Sequence, residues 1–418
     1  MNIRRSAAIL AATAVAVLGT GSVPVTALAD DSSPSASPSQ AIPRGLYGSA
    51  DPTYDGVWRQ SLALLAQDTV GVKPAVVAVD WLVGQQCTSG AFAAYRAEAS
   101  AKCDDKTPVD TNSTAAAVQA LAALGGHDGE VGRAVRWLKD VQNEDGGWGY
   151  QPGGASDSNS TSAVIGALVA AGDEPEDQKK GGHSPYEALL SLSVPCDEDD
   201  GGAFAFQPDK KGGLSANADA TTAAVLGSLG KGFVAKAGTK DRTGAGCVRG
   251  DDFSPEDAAH NAALYLTKAL AEDGYLKLPL AGAEDQPDHG NTADAVVALA
   301  AAGQKDSTGE PLAWLEKNSG AWAAEAGPAA YAQLILAAHA TGTDPRDFGG
   351  ADLVKKLNAT GPAPEVPDGS TADADKKGDE KGKDDGSVFG VWWIVGTCLV
   401  AGIGVGFLLS GRTKKQQL

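Results

Sequence analysis

A short pattern recurs along the middle of this 418-residue chain and limits it to one kind of architecture. Gln or Glu, three residues, Gly, one residue and an aromatic ring occur as Gln86…Gly90-Ala91-Phe92, Gln142…Gly146-Gly147-Trp148, Glu198…Gly202-Ala203-Phe204 and Glu316…Gly320-Ala321-Trp322. A degenerate copy ends at Gly274-Tyr275, and successive aromatics stand 56, 56, 71 and 47 residues apart. Apolar pairs such as Trp81-Leu82 and Trp137-Leu138 precede the motif. Polar clusters such as Asp110-Thr111-Asn112-Ser113-Thr114 and Asp157-Ser158-Asn159-Ser160-Thr161 follow it and feed Ala-rich segments with helical spacing. Each unit therefore reads as helix, Gly-aromatic turn, helix. The pattern predicts twelve helices near 55–67, 74–85, 110–124, 130–141, 157–171, 184–193, 215–229, 254–271, 288–303, 309–317, 326–341 and 346–357. Alternating helices in tandem form an open solenoid or close into a ring of six hairpins. Small residues suit a crowded inner ring, and the helices carrying Trp and Leu suit an outer layer.

The flanks predict an exported, anchored protein. Residues 1–29 have Arg4-Arg5, an apolar run and Ala27-Leu28-Ala29, the pattern of a secretory signal peptide. A Ser/Pro-rich linker (30–43) leads to the globular body (44–358), and a disordered linker (359–387) follows it. Residues 388–410 hold an uncharged run long enough to span a bilayer, opened by Trp392-Trp393, with a basic cytoplasmic tail at 411–418. The body is expected on the extracytoplasmic side of a single-pass membrane anchor. Setting aside the five cations of the two ends leaves 29 basic against 53 acidic groups, so residues 30–387 carry −24. Such a surface repels phosphate backbones and excludes nucleic acid as a partner. Four cysteines fall in the body. Three pairings are open, and the short enclosed segments favour Cys87–Cys103 and Cys196–Cys247. No Cys-x-x-Cys or His pair at helical spacing exists, so no metal is expected.

The Gln-x-x-x-Gly-x-Trp copies and the alternating helices over roughly 45–358 resemble the prenyltransferase/squalene-cyclase repeat. That resemblance implies an all-α, α6/α6 toroid, as in terpenoid cyclases, protein prenyltransferase β subunits and the vitamin B12-binding domain of transcobalamin and intrinsic factor. Cyclases of this kind use an Asp-x-Asp-Asp acid. The one literal match, Asp197-Glu198-Asp199-Asp200, lies on a motif turn, where solvent prevents the pKa rise an acid catalyst needs. With only 6% aromatic residues, a carbocation-lined cavity is not expected. Trp58 and Tyr331 are the aromatic exceptions on inner-type helices.

The polar clusters cap the inner helices, their oxygens accepting from first-turn amides. In a closed ring they also converge on one opening. Asn112, Asn159, Asn217, Asp219, Asn291 and Asp294, with Tyr331, are the expected ligand-binding residues. The leading expectation is a binding protein without catalysis or cofactor, whose ligand is a polar metabolite, a corrinoid favoured. The resemblance to the B12 carriers points the same way, and His183 and His289 are the candidates for a cobalt ligand. Those carriers have a second, β-rich domain after the toroid, where a linker and a membrane segment are expected here, so the expected partners are a membrane transporter or a second binding domain in trans. The alternatives are a terpenoid cyclase-like enzyme using Asp219 or Asp197, Asp199 and Asp200, and a surface scaffold or adhesion protein.

Overall fold

The repeated turn is built from three interactions that the motif residues supply. In the computed structural model, Gly90, Gly146 and Gly202 adopt φ of +100°, +87° and +92°, a region L side chains rarely enter. Each also lies against the next outer segment. A Cβ at these glycines would stand 2.2 Å from the Arg133 carbonyl oxygen, 2.5 Å from that of Ser184 and 2.7 Å from that of Asn261. The motif glutamine ties the turn together and to the next repeat. Gln86 Nε2 donates to the carbonyls of Gly90 (3.0 Å) and Glu130 (2.8 Å). Gln142 does the same with Gly146 (2.8 Å) and Gln178 (3.0 Å). Glu198 has no amide to donate, and its turn is instead braced by the Cys196–Cys247 disulfide. Cys87–Cys103 closes the first turn segment, so both expected pairs are present.

The third interaction joins turn to inner helix. The backbone N–H of Phe92, Trp148, Phe204 and Leu276 donates to the hydroxyl of Thr114, Thr161, Thr221 and Thr292 at 2.9, 3.1, 2.9 and 3.0 Å. Four residues before each threonine stands the N-cap: Asp110, Asp157, Asn217 and Asp288, each accepting from a first-turn amide. Two short antiparallel pairs, Phe92–Ala93 with Val109–Asp110 and Leu276–Lys277 with Pro287–Asp288, hold the same junction.

Residues 42–104, 106–239, 246–250, 252–279 and 286–366 are described by the structure. Among them run thirteen helices: α1 (Gly56–Thr69), α2 (Val76–Gly84), α3 (Thr111–Leu124), α4 (Asp128–Asp140), α5 (Ser158–Ala170), α6 (Pro185–Leu190), α7 (Ala218–Ser228), α8 (Pro255–Leu270), α9 (His289–Ala301), α10 (Gly309–Asn318), α11 (Gly320–Ala326), α12 (Pro328–Thr341) and α13 (Leu353–Asn358). The regular structure of the described residues is mostly helical, with the two strand pairs as the exception. Helices α1, α3, α5, α7, α9 and α12 pack each against the next, and α12 returns to α1, so the inner layer is a closed ring. Helices α2, α4, α6, α8, α10 and α13 pack outside it. The inner interfaces are made by Ala, Val and Leu, with Ala63, Ala117, Ala167, Ala224, Ala298 and Ala337 fully buried.

The structure departs from the sequence-based expectation in three places. The fourth motif copy is not a turn: Gly320, Ala321 and Trp322 lie in helix α11, and Gly320 has no backbone approaching it. Residues 359–366, expected as the start of a disordered linker, lie against the ring. The amide of Glu365 donates to the Lys73 carbonyl at 3.0 Å, and the Glu365 carboxylate pairs with the Lys73 ammonium. The last predicted helix, near 346–357, begins only at Leu353, capped by Asp352. The expected signal peptide, membrane helix and basic tail lie outside the described residues, and no helix among the described residues is long and apolar enough to cross a membrane.

The motif glycines yield a stability test. Gly146→Ala combines positive φ with a carbonyl 2.5 Å from the new Cβ, whereas Gly153 has φ of +75° but open space around it. Urea unfolding should show a loss of about 2–4 kcal/mol for Gly146→Ala and about 1 kcal/mol for Gly153→Ala. Equal losses would mean that the close approach contributes nothing.

Candidate functional site

Because each outer helix carries the chain back, the inner helices all start on one rim. Their first turns surround a cavity of about 330 Å³ on the ring axis, and all six inner helices contribute to its wall. The N-caps point their oxygens at their own helices. The residue two or three places further on is therefore free to face the axis: Asn112, Asn159, Asp219 and Asn291. One turn deeper stand Asp294 from α9 and Gln333 from α12. Taken together, the lining positions run from the second to the ninth residue of the inner helices, a depth of roughly 10 Å at the helical rise.

The floor is a loop. Lys231, Gly232 and Phe233, just after α7, enter the far end of the ring. The Phe233 amide donates to Gln119 Oε1 at 2.9 Å, while Gln119 Nε2 donates to the Ala163 carbonyl at 3.1 Å. Gly166 makes room for this loop, since a Cβ there would lie 2.8 Å from the Gly232 Cα. The Phe233 ring meets Trp58 edge-on with centroids 5.3 Å apart.

The polar wall is acidic and cross-bonded. Asn159 Nδ2 donates to Asp219 Oδ2 at 2.6 Å, Gln333 Nε2 to Asp294 Oδ2 at 2.8 Å, and Asn291 Nδ2 to Asp288 Oδ2 at 2.8 Å. Asp294 shows part of its surface to the cavity but is ringed by protein on every side. Loss of bulk water pushes its pKa up to about 7; the Gln333 bond opposes this, and the nearby charges of Asp219 and Asp288 add to it. Burial also raises Asp219, again against the bond from Asn159.

Of the seven residues expected from sequence to bind ligand, Asn112, Asn159, Asp219, Asn291 and Asp294 line the cavity. Asn217 does not, because its side chain caps α7 by accepting from the Ala220 amide at 2.9 Å. Tyr331 is also off the wall, 7% exposed and packed in the core. Asp197, Asp199 and Asp200 are exposed on the turn after Cys196, away from the cavity. His183 stands on the outer turn before α6, 3.7 Å from Glu187. His289 is stacked on the Trp322 ring and beside Trp314, with centroids 5.3 and 4.9 Å away. Gln119, Ser162, Thr222, Gln333 and the Lys231–Phe233 floor were not identified from sequence. A lone glycine and scattered polar residues inside Ala-rich helices were the available signal, as Gly166 and Gln333 illustrate.

No family model matches the chain. A stretch of 81 residues, 19% of this chain, is 40% identical to drimenyl diphosphate synthase of Streptantibioticus cattleyicolor and covers 13% of that protein. Among solved structures, ent-copalyl diphosphate synthase from Streptomyces platensis aligns with a TM-score of 0.46 at 14% identity, over 69% of this chain and 50% of that one. A protein from Actinoplanes aligns with a TM-score of 0.46 at 16% identity, over 73% and 96%.

The elevated Asp294 pKa makes stability fall as pH rises. Between the unfolded carboxyl value near 3.8 and the folded value of about 7, the native state holds a proton that the unfolded chain has lost. Stability then declines by up to about 1.4 kcal/mol per pH unit across that window. Asp294→Asn should remove this component, so denaturation at pH 5 and pH 8 should show the variant gaining on the parent at the higher pH. An unchanged difference would place Asp294 in contact with bulk water. The chain forms an α/α toroid with polar groups gathered at one mouth, and 81 of its residues are similar to a short part of a drimenyl diphosphate synthase.

Proposed function

We propose that the axial cavity binds a small polar metabolite without turning it over. The observation that carries this reading is the collar, in which carboxamide and carboxyl groups from the first turns of four inner helices face one closed-floored cavity. Two collar oxygens, Asn112 Oδ1 and Asn159 Oδ1, and the Ser162 hydroxyl have no partner among the described residues. Buried polar atoms of native proteins are paired, and a ligand that supplies the missing bonds resolves the exception. A cavity of 330 Å³ is far too small to enclose a corrin ring with its side chains. A corrinoid, favoured from sequence, fits only by resting across the collar with a side-chain amide inside. Passage of the ligand to a membrane transporter or to a second domain in trans remains part of the proposal.

A second reading is acid catalysis of a terpenoid cyclisation. The local identity to drimenyl diphosphate synthase favours it, and so does a carboxyl with a pKa of about 7 inside a water-shielded cavity. On this reading Asp294 is the acid and not the exposed Asp197, Asp199 or Asp200. The similarities weigh towards this alternative, whereas the wall weighs against it. It has two aromatic rings, Trp58 and Phe233, beside nine oxygen-bearing side chains, whose lone pairs capture a carbocation instead of steering it.

The two readings separate in one set of experiments. Calorimetry with hydroxyl- and amide-bearing small molecules and with cyanocobalamin should find saturable binding, weakened about tenfold or more by Asn159→Leu. Incubation with farnesyl and geranylgeranyl diphosphate should leave both unchanged. A cyclised product that disappears in Asp294→Asn moves the function to the enzyme, and absence of any binding removes the first reading.

A further inference from the structure

The hydrogen-bond balance of the cavity wall identifies the chemistry of its ligand more narrowly. Five carboxamides line it, and four already spend an N–H on a protein oxygen. Asn159, Asn291 and Gln333 hold theirs to the carboxylates of Asp219, Asp288 and Asp294, and Gln119 holds its own to the Ala163 carbonyl. An ionised carboxylate only accepts, so while these three acids are ionised the orientation is not interchangeable: the nitrogen faces the acid and the oxygen faces away. What is left over for a ligand is mainly acceptor. Asn112 Oδ1 and Asn159 Oδ1 are unpartnered, as is the hydroxyl of Ser162, itself only 5% exposed and on the cavity wall. The second oxygens of Asp219 and Asp294 add to these, no bond to them being made by the carboxamides that hold the first.

Charge points the same way. Two carboxyls, Asp219 and Asp294, face the cavity, and Asp288 lies close enough to act on both. Among the described residues the only cation on the wall is Lys231, in the floor loop and exposed to solvent. A metal ion is a poor match, because no three His, Cys, Asp or Glu side chains gather in metal-binding geometry among the described residues. Trp58 supplies an aromatic wall suited to an organic cation.

We propose that this cavity selects an organic cation rich in N–H donors, an alkylammonium or guanidinium compound, whose charged group lies between Asp219 and Asp294 and donates to the free oxygens of the collar. The inference rests on reading the cavity as a binding site and names the class of ligand it takes. Binding then depends on pH through Asp294. The ionisable groups bearing on that carboxyl are Asp219 from α7 and Asp288 at the cap of α9, and α12 presents the neutral Gln333. An ionised Asp294 attracts the cation and a protonated one does not.

Calorimetry on the full chain tests this with agmatine, putrescine and spermidine as cations, glutarate as an anion of similar length, and cyanocobalamin as a carrier of neutral carboxamides. At least one cation should bind one per chain and tighten about tenfold from pH 6 to pH 8, as Asp294 passes from mostly protonated to mostly ionised. Asp294→Asn should abolish that pH dependence, Asp219→Asn should weaken binding about tenfold at both pH values, and Asp197→Asn on the outer turn should change neither. Glutarate should not bind. Thermal melts of each variant establish that the ring is intact. Glutarate binding as tightly as the cations, or cation binding indifferent to pH and to Asp294→Asn, overturns the proposal. If cyanocobalamin binds and no cation does, the cation is wrong and the binding reading stands; if nothing binds, both fall.

Discussion

The hydroxyl of a threonine one turn into an inner helix, accepting the backbone amide of the turn aromatic or its counterpart, sets the start of four of the six inner helices. It is made by Thr114, Thr161, Thr221 and Thr292, each four residues after an N-cap. Together the two residues determine where an inner helix starts and how far its first turn stands from the preceding hairpin. Since the same junction recurs, successive inner helices begin at the same level, and their polar first turns meet on one rim. The positive-φ glycines serve the same end from the other side of the turn by letting the next outer segment approach within contact distance. Ring closure through α1 and α12 then turns a row of similar junctions into a circle with a mouth.

That arrangement separates two jobs that are neighbours in sequence. Asp110, Asp157, Asn217 and Asp288 stabilise helix termini, and residues two or three places later line the cavity. A carboxylate at an N-cap is favoured by the unpaired amides and the helix dipole. A carboxylate that faces the axis, such as Asp294, has lost bulk water and gained only one carboxamide donor, so its proton is held more tightly. Burial raises the pKa of the capping Asp110 and Asp157 as well, but there the bonds from Ser113 and Ser160 oppose it.

The repeat was legible because period, turn chemistry and small inner residues all agree on helical hairpins. Eleven of the twelve expected helices overlap their observed counterparts closely, and the misread copy at Gly320 shows the limit. Its Glu, Gly and Trp match the motif, but no backbone approaches that glycine and the chain continues as helix. A pattern of residue types does not reveal whether the close contact that gives the glycine its purpose exists. Asn217 was misassigned for a related reason: caps and cavity residues share a composition, and only the phase of the helix relative to the axis tells them apart.

From sequence alone came the alternation of helices, the disulfide pairs favoured by short loops, and the place of Asn112, Asn159, Asp219, Asn291 and Asp294 near the starts of the inner helices, because these follow from local spacing. Tertiary structure alone decided that α12 closes onto α1, that Lys231–Phe233 seals the far end, and that Gln333 clamps Asp294. Those depend on contacts between residues far apart in the chain. The shape of a cavity and the pKa of a group within it are properties of the enclosed space, which no segment of sequence contains.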